Sequence, residues 1–242
     1  MSWRFSLTLG LYLLFLTFVS SPPEARAQTG PDIFVTPIPN SPFTGEIEVE
    51  RSVVRPDGVL VNMRTARKIG RDNRGRIFNE ARTLVPASGG QFPQVETIRL
   101  YDPETRISTM LNVHVRTFWT MIVRRPPATM PPALVEATPA GDTLHQNAFT
   151  AKEDLGIREI GGVPAHGVRE TQKIPVDGKA SGQQISVIDE YWYSDDLRIN
   201  LMIKHSDPRT GSVKMTVGEI QRAEPDPALF EVPPGYKRVE NR

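Results

Sequence analysis

The sequence predicts a mainly β protein: an antiparallel meander curled into an open half-barrel, with little helix beyond its first residues. Three observations predict it. Past Gly45, apolar residues recur at every second position through most of the chain. Turn residues such as Pro56-Asp57-Gly58, Asp72-Asn73-Arg74-Gly75 and Gly161-Gly162 punctuate those runs at hairpin spacing. Beyond residue 27, no segment shows a convincing helical period of apolar residues.

Residues 1–27 have the three zones of a secretory signal peptide. Arg4 supplies the positive start, Phe5 to Val19 the apolar run, and Ala25-Arg26-Ala27 the small-x-small pattern that predicts cleavage before Gln28. The apolar run is shorter than the roughly 20 residues a membrane span needs, so no stable anchor is expected after cleavage. The chain has no cysteine. Lipid attachment, disulfides and thiolate chemistry are therefore excluded, and an exported chain of this kind has to hold itself together by its core. Without Arg4, Glu24 and Arg26, 27 basic and 27 acidic residues remain. That neutrality argues against nucleic acid or an anionic membrane surface as the main partner, because both need a clustered basic excess. A local basic stretch, Arg64, Arg67, Lys68, Arg71, Arg74, Arg76 and Arg82, reads as the solvated face of a hairpin. The expected location is the periplasm or the outside of the cell.

Residues 28–44 form a Pro-rich leader, expected to be an extended and poorly ordered arm because proline removes ladder donors and restricts its predecessor. A single β domain is expected over 45–237, with a tail at 238–242. Ile47 and Val49 alternate with Glu46, Glu48 and Glu50. The return strand puts Val59, Val61, Met63 and Ile69 on one face. Strands follow over Arg76–Leu84 and Val95–Tyr101. Ile107, Thr109, Leu111, Val113 and Val115 then alternate with polar residues, as a half-buried antiparallel strand does. An apolar run, Phe118 to Val123, leads into an irregular Pro-rich stretch to Leu144, which is expected to cover the mouth of the sheet. The second half repeats the pattern over Leu155–Ile160, Val163–Ile174, Ile185–Tyr193, Leu197–Ile203 and Val213–Val217. A short turn at Pro225–Phe230 is expected to tuck Leu229 and Phe230 against the sheet. In all, nine or ten short strands are predicted.

Four stretches carry a resemblance: Glu153-Asp154-Leu155-Gly156, Tyr191-Trp192-Tyr193-Ser194, Ser206-Asp207-Pro208-Arg209, and Glu224-Pro225-Asp226-Pro227-Ala228-Leu229-Phe230-Glu231-Val232-Pro233. Through them residues 152–237 resemble the C-terminal part of an uncharacterised family of secreted bacterial β-rich proteins. The order of elements is also similar to half-barrel proteins of the lipoprotein-carrier type. That similarity implies an antiparallel sheet curled around a hydrophobic cavity, closed by a turn containing Asp-Pro-x-x-Phe.

No catalytic constellation is visible. His114, His145, His166 and His205 are scattered without metal-ligand spacing. Asp189 and Glu190 are adjacent in a strand, so they point to opposite faces and cannot serve as a paired acid and base. A nucleophile elbow is absent, and the double glycines sit in turns rather than phosphate cradles. No metal or cofactor is expected, and the chain does not read as an enzyme. Methionines and aromatic residues in or beside the strands are the remaining lead: Met63, Met110, Trp119, Trp192, Tyr193, Met202 and Met215 are candidates for an apolar ligand cavity, because thioethers and aromatic rings adapt to such ligands. Two functions stay open. One is an envelope binding protein holding a lipid or other apolar ligand. The other is a structural or protein-interaction module of the envelope whose core is filled by its own side chains.

Overall fold

The computed structural model describes residues 31–124, 150–176 and 182–240. The expected signal segment, His145 and most of the loop expected over Phe118 to Leu144 lie outside the described residues. Thirteen strands form one sheet. They are β1 (Phe43–Val54), β2 (Leu60–Arg71), β3 (Ile77–Arg82), β4 (Val85–Pro86), β5 (Val95–Asp102), β6 (Ile107–Asn112), β7 (Thr117–Ile122), β8 (Thr150–Ile160), β9 (Val163–Pro175), β10 (Gln184–Ser194), β11 (Ile199–Asp207), β12 (Gly211–Gln221) and β13 (Lys237–Arg238). β4 and β13 are two-residue strands; the other eleven already exceed the nine or ten predicted. Across the sheet the order is β13-β7-β6-β5-β3-β2-β1-β12-β11-β10-β9-β8, with β4 beside β2. Two meanders therefore meet where β1 pairs with β12, Ile47 opposite Val217. Every ladder is antiparallel except β13 on β7. The sheet is open, with β8 at one edge and β7 with its short partner at the other.

The sheet is curled, and two contacts show it. Neighbouring strands lie about 4.8 Å apart, so strands three places apart are about 14 Å apart in a flat sheet. Yet a Cβ on Gly161, in the β8–β9 turn, would stand 2.9 Å from Ile220 at the end of β12. Likewise Arg71 on β2 donates from Nη2 to the Leu197 carbonyl, in the β10–β11 turn, at 2.9 Å. Both contacts bring the second meander over the face of β1 and β2 that carries Phe43, Ile47, Val49, Ile69 and Arg71. That face is concave.

The alternation read from the sequence explains which side is buried. Ile47, Val49 and Val217 point into the concave side, and Glu48 and Glu50 point out. The concave core gathers Phe43, Ile47, Ile69, Leu201, Ile203 and Val217, together with Ile33 and Val35 of the leader. A second apolar cluster lies on the opposite face of the first meander: Phe78, Leu100 and Leu111 receive Phe230, with Leu229, Val232 and Tyr236 packed around it. The expected turn is a short 3-10 segment, Pro227–Phe230, capped by Asp226, whose carboxylate accepts from Ala228 N at 2.9 Å. Each face of the sheet is thus covered by one end of the described chain.

Three expectations change. Residues 31–42 are not a poorly ordered arm: Ile33 is fully buried, Asn40 N donates to Asn73 O at 2.9 Å, and Thr36 Oγ1 donates to Arg198 O at 2.9 Å. Gly75 permits this packing. Its φ is 81°, and a Cβ there would lie 3.1 Å from the Ile38 carbonyl carbon. The basic stretch is not wholly solvated, because Arg67 and Arg71 are in phase with Ile69 and point into the concave side. The strand expected through Val115 stops at Asn112, whose side chain accepts from His114 N and Val115 N and turns the chain.

Arg71 is fully buried. Its Nε donates to Ser41 O at 2.8 Å, Nη1 to Thr36 O at 2.8 Å, and Nη2 to Ser41 Oγ and Leu197 O, each at 2.9 Å. The guanidinium stands 5.1 Å from the centroid of the Phe43 ring. Among the described residues no carboxylate pairs with it. Burial draws its pKa down to about 10, which leaves it protonated at neutral pH. Arg71→Met keeps the stem but orphans three carbonyls, so it is expected to cost about 3 kcal/mol. Urea titration checks this, and limited proteolysis should then cut within residues 31–42.

Candidate functional site

The sheet separates the seven candidate cavity residues. Met63 opposes Arg51, and Met215 opposes both Val49 and Ile203. Following the pairs from Ile69 through Asn79 and Arg99 reaches Met110 and then Trp119. These four share the concave face, but Met110 and Trp119 sit three and four strands from β2. Trp192 and Met202 oppose each other beside the β11 bulge and belong to the same buried core as Ile47, Leu201 and Val217. Tyr193 follows a bulge and opposes His166 and Asn200. Trp192 and Met202 are buried, and the other five are half-buried.

The Trp192 site is closed on every side. Its ring lies against Gly167, where a Cβ would come within 2.7 Å. Arg158 covers the outer side, 3.7 Å from the ring centroid, and its Nη2 lies 3.1 Å from Met202 Sδ. The indole N–H donates to Glu190 Oε1 at 3.1 Å. Arg169 holds the same carboxylate at 3.3 Å and Glu153 at 2.8 Å. Burial alone would raise the Glu190 carboxyl, but the Trp192 and Arg169 hydrogen bonds outweigh it and hold the group below its ordinary range. Asp189, on the opposite face, lies 2.7 Å from His205 Nδ1. The two adjacent acids are thus separate structural pairs.

On the concave side one row of paired residues is apolar and the next is charged. Val49, Met215, Ile203, Tyr191 and Val168 stand opposite one another in turn across five strands. The neighbouring row runs Arg51, Val213, His205, Asp189, Glu170 and Lys152. Lys152 pairs with Glu170. Burial, then Asp189 and Glu170, push the Tyr191 phenol above its ordinary value.

Two clefts flank the 3-10 segment on the convex side. The larger, about 440 Å³, lies between β1, β2 and residues 219–229, lined by Glu46, Lys68, Glu219, Glu224, Asp226 and Leu229 among others. The smaller, about 270 Å³, is lined by Arg76, Leu100, Tyr101, Ile107, Phe230 and Val232 among others. None of the seven candidate residues lines either cleft. The larger is more acidic than an acyl chain would need, and its residues were passed over in the sequence because they converge only when the tail folds back. Among the described residues no group of three His, Asp or Glu side chains could hold a metal ion.

No family model matches the sequence, and no curated protein does. Several solved structures align with most of this chain at low identity. An uncharacterized conserved protein from Thermus thermophilus aligns over 82% of this chain and 90% of its own, at 9% identity and a TM-score of 0.42. The MucA/MucB complex of Pseudomonas aeruginosa aligns over 79% of this chain and 56% of the other, at 12% identity and a TM-score of 0.37. A LolA superfamily protein from Nitrosomonas europaea aligns over 80% and 91%, at 10% identity and a TM-score of 0.27.

The Glu190 site makes a pH-dependent contribution to stability. Its folded pKa lies below the ordinary 4.5, so the contribution is complete above about pH 4.5 and fades as pH falls through the lower folded value. Glu190→Gln is expected to cost about 1 kcal/mol at pH 7. The gap between wild type and variant should narrow below pH 4.5 in melting curves recorded against pH.

Proposed function

We propose that this chain is an exported, non-catalytic binding module of the bacterial cell envelope that presents its open sheet to a protein partner. The observation that carries the reading is the double covering of the sheet. Ile33 and Val35 fill the concave core at one end, and Leu229, Phe230 and Val232 cover the apolar patch on the other face. A sheet covered on both faces by the two ends of the described chain has its surface and edges left for recognition. Export is inferred from the signal-like residues 1–27.

A second reading is supported by the paired rows on the concave side. An apolar row beside a charged row suits an amphipathic ligand, with Met63 and Met215 against its chain and Arg51 or His205 near its head. Burial of such a chain would contribute about 0.8 kcal/mol per methylene. Native mass spectrometry of residues 28–242 purified from a bacterial periplasm, with lipid extraction, separates the two. The proposed reading expects an empty protein that melts cooperatively. Lipid at near-stoichiometric amount would overturn it and favour the second, in which case Met215→Asp should weaken retention of that lipid more than it lowers the melting temperature.

A further inference from the structure

The two edges of the sheet are built differently. β8 has the protections that edge strands use against pairing. It carries Lys152, Glu153, Asp154, Arg158 and Glu159, and a bulge interrupts it between Asp154 and Gly156. Four of these charges are engaged: Lys152 with Glu170, Glu153 with Arg169, Asp154 with His166, and Arg158 on the Trp192 ring. β7 has none of this. From Phe118 through Val123 it has no charge, and Met121, Ile122 and Val123 are 47%, 67% and 40% exposed.

Among the described residues, part of the backbone of that edge is unpaired. Val123 N donates inward to Arg106 O at 2.9 Å, so odd-numbered residues of β7 bond to β6. Even-numbered residues face outward, where Lys237 N reaches Arg116 O and Val239 N reaches Phe118 O, each at 2.9 Å. β13 ends there. Beyond it the outward N–H and C=O groups of Thr120 and Ile122 have no backbone partner among the described residues.

The charge around the edge is mostly positive. Arg99, Arg106, Arg116, Arg124, Lys237 and Arg238 surround β7, and among the described residues none forms an ion pair. Arg238 instead donates to Thr120 Oγ1 at 3.1 Å. Of the nearby acids, Glu104 is taken by Arg74, Asp102 accepts from its own turn, and Glu240 follows Val239 at the end of the edge.

We propose that the outer edge of β7 docks an extended segment of another protein by strand addition, and that this segment carries acidic residues on either side of an apolar centre. The proposal rests on the protein-binding reading above and names its surface. Main-chain bonds from Thr120 and Ile122 supply the attachment. Trp119 and Met121 on one side, and Ile122 with Ile107 on the other, receive alternate side chains. The arginines select for acid and steer the encounter.

The test uses the full mature chain and a set of labelled ten-residue peptides, with Val, Ile and Thr permuted in the six central places. Glu-Glu or Lys-Lys pairs form the flanks. Fluorescence anisotropy should show binding of Glu-flanked members, at least tenfold weaker binding of the Lys-flanked ones, and weakening as salt rises. Ile122→Pro removes only an outward N–H, which an edge strand tolerates, and should lower affinity at least tenfold with little change in melting temperature. Arg116→Glu with Arg124→Glu should do the same. Equal binding of both peptide sets, no binding, or binding indifferent to Ile122→Pro would overturn the proposal. Capture by phosphatidylglycerol vesicles without peptide binding would overturn it in favour of a membrane surface. Native mass spectrometry fails independently: an empty protein that ignores the peptides sinks the edge and leaves the broader reading standing.

Discussion

The arrangement depends on one buried cation. Arg71, on β2, joins the leader through Thr36 and Ser41, the neighbouring β1 through Phe43, and the distant β10–β11 turn through Leu197. A guanidinium is suited to this, because its donors fan out in a plane and it keeps its charge when water is withdrawn. No carboxylate neutralises it among the described residues, so carbonyl dipoles and an aromatic face carry the burden. Those partners are backbone groups that would otherwise be orphaned under the leader. The same residue therefore satisfies the leader's carbonyls and holds the curl of the sheet.

With the curl fixed, the rest follows from the pleat. A single sheet has two faces, and here both need cover. The concave face takes the leader, and the convex face of the first meander takes the 3-10 segment. The charged rows occupy what remains. The core is thus split across the sheet, and the two ends of the described chain serve as its two lids.

Much of this was legible residue by residue. Ile47 and Val49 against Glu48 and Glu50 set the phase of β1, and Leu201 and Ile203 did so for β11. Asp226-Pro227 marked the turn that seats Phe230. The leader reads as a free arm because proline signals unpaired backbone, and its backbone does largely lack ladder partners. Its side chains are the better guide, since Ile33 and Val35 alternate with Asp32 and Phe34. Arg71 reads as solvated because a charge outweighs phase in sequence, although it stands two places from Ile69.

The closure of β1 on β12 has a consequence for how the molecule comes into being. Ile47 meets Val217 across most of the length of the chain. A polypeptide emerging from its N-terminus presents β1 with β2 on one flank and nothing on the other until the last strands arrive. Non-local pairing of this kind is slow and leaves strand edges unsatisfied meanwhile. Glu46, Glu48 and Glu50 lie on the outer face of that waiting strand. Their mutual repulsion would keep two nascent copies from aligning there before the proper partner, with its Lys214, has appeared.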